Sequence, residues 1–216
     1  MAGSYTVKQG DHLSSIAKDF GFSDYNTIWN DPGNADLKTL RENPNVLFPG
    51  DVLVIPEKVP RVEAKGTEVR HQFVKHKPVL KLRLVLEDLF EMPIANADCD
   101  LLLDSDTFHV TSDGDGRIEH EIKPETKGGM LLIKDPQTAF NGQAIPIKIG
   151  FLDPVEELSG QLARLDNLGY FPGDGSPEHA DDFKSAVEEF QCDNELPIDG
   201  VCGPGTQAKL KQVHGC

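Results

Sequence analysis

Catalysis needs a nucleophile or a metal held beside a base, so histidines, cysteines and clustered carboxylates are weighed first. The seven histidines, at positions 12, 71, 76, 109, 120, 179 and 214, are scattered along the whole chain. None belongs to an H-E-x-x-H helix, and neither a G-x-S-x-G elbow nor a Cys–His hydrolase signature is present. Cysteines stand at 99, 192, 202 and 216 without a C-x-x-C pair. Cys192, Cys202 and Cys216 gather near His214, but their spacing fits no zinc template. A Cys192–Cys202 disulfide, formed only in an oxidising compartment, is the better expectation for that cluster. Asp104, Asp106, Asp113 and Asp115 invite a calcium reading, yet no EF-hand loop is complete, and Asp and Gly are also the residues of tight turns. The expectation is therefore no catalytic residue, no metal and no cofactor.

The elements of the first segment can be read locally. Tyr5-Thr6-Val7-Lys8 has strand content, and Asp11 or Ser14 can cap a helix in which Leu13, Ile16, Ala17 and Phe20 share one face. Gly21 ends that helix, and a second helical stretch holds Thr27, Ile28 and Trp29. Beyond a turn at Asp31-Pro32-Gly33 that helical stretch goes on with Ala35, Leu37 and Leu40, and an apolar strand follows, Val52-Leu53-Val54-Ile55, closed by Pro56. The two strands must pair antiparallel, with the helices on one face, for so short a unit to bury anything.

The runs Tyr5-Thr6-Val7-Lys8-x-Gly10-Asp11-x-Leu13-Ser14-x-Ile16-Ala17 and Pro49-Gly50-Asp51-x-Leu53-x-Ile55-Pro56 resemble a LysM domain. The resemblance implies a βααβ module that binds N-acetylglucosamine-containing glycans such as peptidoglycan and chitin. Its groove would lie between the two loops, assigning glycan contacts to Gly10, Asp11, His12, Leu13, Ser14, Asn45, Val46, Leu47, Phe48, Pro49 and Gly50. His12 departs from the common Thr, and the segment 31–45 is longer than usual.

Further along, composition changes twice. The charged, Pro- and Gly-containing stretch 59–66 reads as a linker after a first domain at 1–58. Strand patterns fill 67–150: Gln72-Phe73-Val74, an alternating Leu80 to Leu86, then Cys99 to Leu103, Thr107 to Thr111, Ile118 to Ile122, Met130 to Ile133 and Ile145 to Ile149. The turn Ser112-Asp113-Gly114-Asp115-Gly116-Arg117 between two of them predicts a hairpin. An antiparallel β-sandwich accounts for this spacing. Together with Pro93-Ile94-Ala95-Asn96-Ala97, that turn resembles transthyretin-like or carboxypeptidase-regulatory sandwiches, which serve as spacers or docking surfaces. The last segment, 151–216, is helical: Leu158, Leu162, Leu165 and Leu168 mark one helix, Phe183, Ala186, Val187 and Phe190 a second, and Pro204 opens a third. Its runs, including Leu196-Pro197-x-Asp199-Gly200-Val201-x-Gly203-Pro204-x-Thr206, resemble the three-helix peptidoglycan-binding domain. The fold class expected is thus a multidomain α+β protein of three units.

Charge sharpens the functional reading. The chain carries a formal charge of −15, and 151–216 alone holds 13 Asp and Glu against 4 Lys and Arg. Phosphates would be repelled, so nucleic acid is excluded as a partner, and the absence of an apolar run of about 18 residues argues against membrane insertion. Met1-Ala2-Gly3-Ser4-Tyr5 has no signal-peptide pattern, so synthesis and folding in the cytoplasm are expected, with export to the periplasm or exterior by a non-Sec route. The order of units over nearly all the chain resembles proteins associated with type VI secretion and related contractile injection machines. Peptidoglycan is the leading expected partner; a secretion-machine component or effector is the second, the modules then acting as a structural adaptor.

Overall fold

The structure, a computed structural model, describes residues 3–59, 64, 66–72, 79–88, 90 and 92–216. Most of the linker expected at 59–66, most of the strand expected at 72–74, and His76 lie outside the described residues. Each unit has its own apolar core, and each core is built from the periodic residues of its segment.

In the N-terminal unit β1 (Gly3–Thr6) pairs antiparallel with β2 (Val52–Ile55), Tyr5 opposite Leu53. Helix α1 (Leu13–Asp19) places Leu13, Ile16 and Ala17 on the sheet, and α2 (Asn26–Trp29) adds Ile28 and Trp29. The long segment after Asp31 is helical. Asp31 caps a 3-10 turn (Pro32–Asn34) that leads into a third helix, α3 (Ala35–Arg41). Asn34 makes this addition possible. Its buried amide donates to the Ile28 and Val54 carbonyls at 2.8 Å and accepts from Val54 N–H at 2.7 Å, tying the turn to β2. The unit is therefore βααβ with one extra helix.

The middle unit has two antiparallel sheets: β3 (Leu80–Val85) with β6 (Arg117–Ile122), and a four-stranded sheet ordered β5 (Asp106–Thr111), β4 (Asp98–Leu103), β7 (Gly128–Ile133), β8 (Ala144–Lys148). Leu86 and Ile118, from the small sheet's side, share one core with Leu101, Leu103, Leu131 and Ile133 from the large sheet. All six strands expected between 80 and 149 form.

The hairpin expected at Asp113 does not. β5 pairs with β4 across the tight turn at Asp104, and β6 pairs with β3, so the Asp-Gly turn carries the chain from one sheet to the other. The Asp113 carboxylate accepts from the Asp115 and Arg117 N–H groups at 2.9 Å, which holds its pKa below the usual carboxylate range. Gly116, at φ +72°, lies so close to β3 that a Cβ there would stand 2.3 Å from the Leu86 carbonyl oxygen. The turn is specific, but what it connects is decided by tertiary packing.

In the C-terminal unit α4 (Leu158–Asn167), α5 (Ala180–Asp193) and α6 (Pro204–His214) surround Val155, Leu165, Ala186, Val187, Phe190 and Leu210. Leu158 lies on the exposed side of α4 instead of the core. Two polar residues take interior positions. Arg164, 1% exposed, donates from Nη1 to the Asp153 and Gly160 carbonyls and from Nε to the Cys216 carbonyl oxygen. Gln191 donates to Asp199 Oδ1, the Val201 carbonyl and Thr206 Oγ1, and accepts from the Asp199 and Gly200 N–H groups. It satisfies a loop that would otherwise bury unpaired backbone. Cys192 and Cys202 are free thiols, and burial pushes Cys202 up to about 11.

Candidate functional site

Both loops named from sequence sit at one end of the β1–β2 ribbon. Val7 N–H donates to the Asp51 carbonyl at 2.8 Å and Gly50 N–H to the Val7 carbonyl at 2.9 Å, which brings residues 8–14 beside residues 43–51. The fold thus gathers the expected contact residues into one region, but not in one environment.

In the first loop Asp11 is held in place: Tyr5 Oη donates to its Oδ2 at 2.7 Å and Lys8 N–H at 2.9 Å. Burial and the Asp11 carboxylate push the Tyr5 phenol up to about 12. Ser15 closes the start of α1, its hydroxyl accepting from His12 N–H at 3.2 Å and donating to the His12 carbonyl at 2.7 Å. Gly10, His12 and Leu13 are buried, whereas Asp11 and Ser14 are half-exposed.

What covers them comes from other units. The Phe151 ring lies over Gly10, so that a Cβ on Gly10 would stand 2.9 Å from its Cζ, and Gly150 approaches the Gly10 carbonyl equally closely. His12 is only 6% exposed and its Nε2 has no hydrogen-bond partner. Burial holds the imidazole below its ordinary pKa, with Asp11 opposing that shift and Lys127 reinforcing it. The Lys18–Glu125 ion pair at 2.6 Å fastens α1 to the middle unit from the side.

The second loop is tied within its own unit. Arg41 makes a two-pronged pair with Asp51, Nε to Oδ2 at 2.9 Å and Nη2 to Oδ1 at 2.8 Å, with the two side chains 12% and 7% exposed. Asp51 also accepts from Phe48 N–H at 2.9 Å, and the Arg41 guanidinium stands 5.6 Å from the centroid of the Phe48 ring. Val46 and Leu47 are buried, Phe48 and Pro49 half-exposed, and Asn45 and Gly50 exposed. This loop borders a cleft of about 670 Å³, whose far wall is the C-terminal unit. Sequence reasoning missed Arg41, Phe151 and Arg164. Arg41 closes α3, whose apolar residues could be read but not its ion-pair partner, and nothing in periodicity points to the other two.

Two comparisons bear on these units. Residues 5–31 match the LysM domain family and residues 155–210 match a peptidoglycan binding domain family. No curated protein and no solved structure matches the chain. The chain therefore carries two modules of the binding kind at its two ends, a LysM domain and a peptidoglycan-binding domain, as expected, and these point to a cell-wall-binding protein. The LysM match covers residues 5–31; β2, at residues 52–55, lies beyond it and pairs antiparallel with β1.

Proposed function

We propose that the protein is a non-catalytic binder of peptidoglycan, with N-acetylglucosamine-containing glycan as the ligand of its LysM domain. The observation that carries this reading is that two modules of wall-binding type, each with a complete core, flank the two-sheet unit in one chain. Two weak sites on one chain reinforce each other on a polymer that repeats its epitope. Within the LysM domain, Asp11, Ser14, Asn45, Phe48, Pro49 and Gly50 make the glycan contacts, and Gly10, His12, Leu13, Val46 and Leu47 shape the loops that present them. The middle unit, a transthyretin-like sandwich in this reading, acts as the spacer. The order of units suits a component of a type VI secretion or related contractile injection machine, folded in the cytoplasm and delivered by that machine. Pull-down on purified sacculi tests the central point. Enrichment over cellulose is expected; equal retention on both would overturn it.

A second reading is favoured by a specific observation. The Phe151 ring on Gly10 and the concentration of acid in 151–216 suit an adaptor whose wall-binding folds hold protein partners, a basic secretion component or effector among them. Crosslinking in the native host separates the two, because an adaptor yields protein partners and a wall binder yields glycan fragments.

A further inference from the structure

The junction that follows β8 lies against the first loop of the N-terminal unit. Gly150, at φ +80°, turns the chain so tightly there that a Cβ on it would stand 2.8 Å from the Gly10 carbonyl oxygen and 3.3 Å from His12 Cδ2. The Phe151 ring then lies on Gly10. Residues 150–152 have no regular structure and are anchored on either side, Ile149 N–H donating to the Lys127 carbonyl at 2.9 Å and the Asp153 carbonyl accepting from Arg164 at 2.7 Å. Among the described residues no hydrogen bond joins 150–152 to 10–14, so this strap is held on the loop by packing.

Beneath the strap His12 is 6% exposed, and its Nε2 has no hydrogen-bond partner. The groups that face the ring come from three places. Its own loop brings Asp11, whose carboxylate already accepts from Tyr5 Oη and Lys8 N–H. The turn before β7 brings the Pro124 carbonyl and Lys127. The strap brings Gly150 and Phe151, which carry no charge. Burial keeps the imidazole neutral, with Lys127 adding to that effect and Asp11 and Pro124 opposing it. Glu125, beside Pro124, is held below the usual carboxylate range by Lys18 and so keeps its charge in mild acid. A protonated His12 would carry a buried N–H without an acceptor. The strap is the side that no hydrogen bond fastens, so opening there hydrates the ring at the least cost.

We propose that residues 150–152 are an acid-released strap, closed over the first loop while His12 is neutral and lifted from Gly10 and His12 when His12 takes up a proton. The inference goes beyond the wall-binding reading and rests on it only for what the uncovered loop would meet. Linkage fixes the sign. With the strap open the imidazole returns toward its ordinary value of 6.5, so closure is fully favoured above that pH. Each pH unit below it shifts the ratio of open to closed chains by at most about tenfold, until the buried ring itself is protonated.

Nuclear magnetic resonance of the full chain without ligand tests the strap. Nuclear Overhauser contacts between the Phe151 ring and the Gly10 α-protons are expected at about pH 7.5 and should fade by about pH 5, with the midpoint of the His12 ring's own titration. His12→Gln, neutral throughout, should keep the contact over the whole range. Phe151→Ala should show near pH 7.5 the residue 10–14 shifts that the native chain reaches in acid, and circular dichroism establishes that both variants are folded. A Phe151–Gly10 contact that persists to about pH 5, that fades with a midpoint different from that of His12, or that fades equally in folded His12→Gln overturns the proposal. If His12→Gln does not fold, the two midpoints in the native chain decide alone. The sacculus pull-down is scored separately: it reports on wall binding, and the ligand-free spectra report on the strap.

Discussion

The two loops of the N-terminal unit start from the same expectation and end in opposite surroundings. The first, residues 10–14, is roofed by Gly150 and Phe151 of the junction to the C-terminal unit; the second, residues 43–51, edges an open cleft. The difference traces to side-chain size and charge. A glycine with no Cβ admits an aromatic ring, and a neutral imidazole can be buried, so the first loop accepts a neighbour. The second is stiffened from inside by the Arg41–Asp51 pair and needs no neighbour to hold its shape. A ligand groove can thus be half converted into a domain contact without losing the fold that built it.

The largest effect that separates the loops should come from Asp51→Ala. It leaves the Arg41 guanidinium nearly buried without its partner and removes the acceptor for Phe48 N–H, a loss of about 3 kcal/mol in urea denaturation of the N-terminal unit. Gly10→Ala comes next, at about 2 kcal/mol, because φ is +82° and the new methyl meets the Phe151 ring. Adding Phe151→Ala should restore part of that loss; strict additivity in the double-mutant cycle would mean that the ring does not press on this loop. Tyr5→Phe removes one hydrogen bond to a carboxylate and should cost about 1.5 kcal/mol with no change around residue 48. Acid should act on the first loop alone. His12 is neutral in the folded chain because burial depresses its pKa, so its contribution is complete above the unfolded value of 6.5 and declines as pH falls below it. Protection factors over residues 10–14, which divide out the intrinsic slowing of amide exchange in acid, should therefore fall between about pH 7 and about pH 5 while those of residues 43–51 stay unchanged. Smallest of all, Lys18→Ala removes an exposed ion pair and should leave the denaturation midpoint where it was.

How much of this could be read from residues alone depends on how local the cause is. Leu13, Ile16 and Ala17 announce α1 by spacing, Pro204 announces α6, and β3 follows from its alternation. Asp113 and Gly116 announce a turn but not the strands it joins, since β6 finds its partner in β3, more than thirty residues away in sequence. Ala35, Leu37 and Leu40 mark the helix beyond the Asp31-Pro32-Gly33 turn but not its anchor, Asn34 reaching back to β2. Arg164 and Gln191 sit in helices whose polar residues usually face water; their carbonyl and amide partners come from loops that no helical period describes. The candidate contact residues could all be named, yet which of them faces solvent could not, because Phe151 enters from another unit.

Hydrogen–deuterium exchange of the intact chain, with and without soluble glycan fragments from sacculi, tests most directly whether the protein binds wall material through these two loops. The account predicts new protection over residues 11–14 and 45–50, where the glycan contacts are assigned. Exchange unchanged over both loops would contradict it.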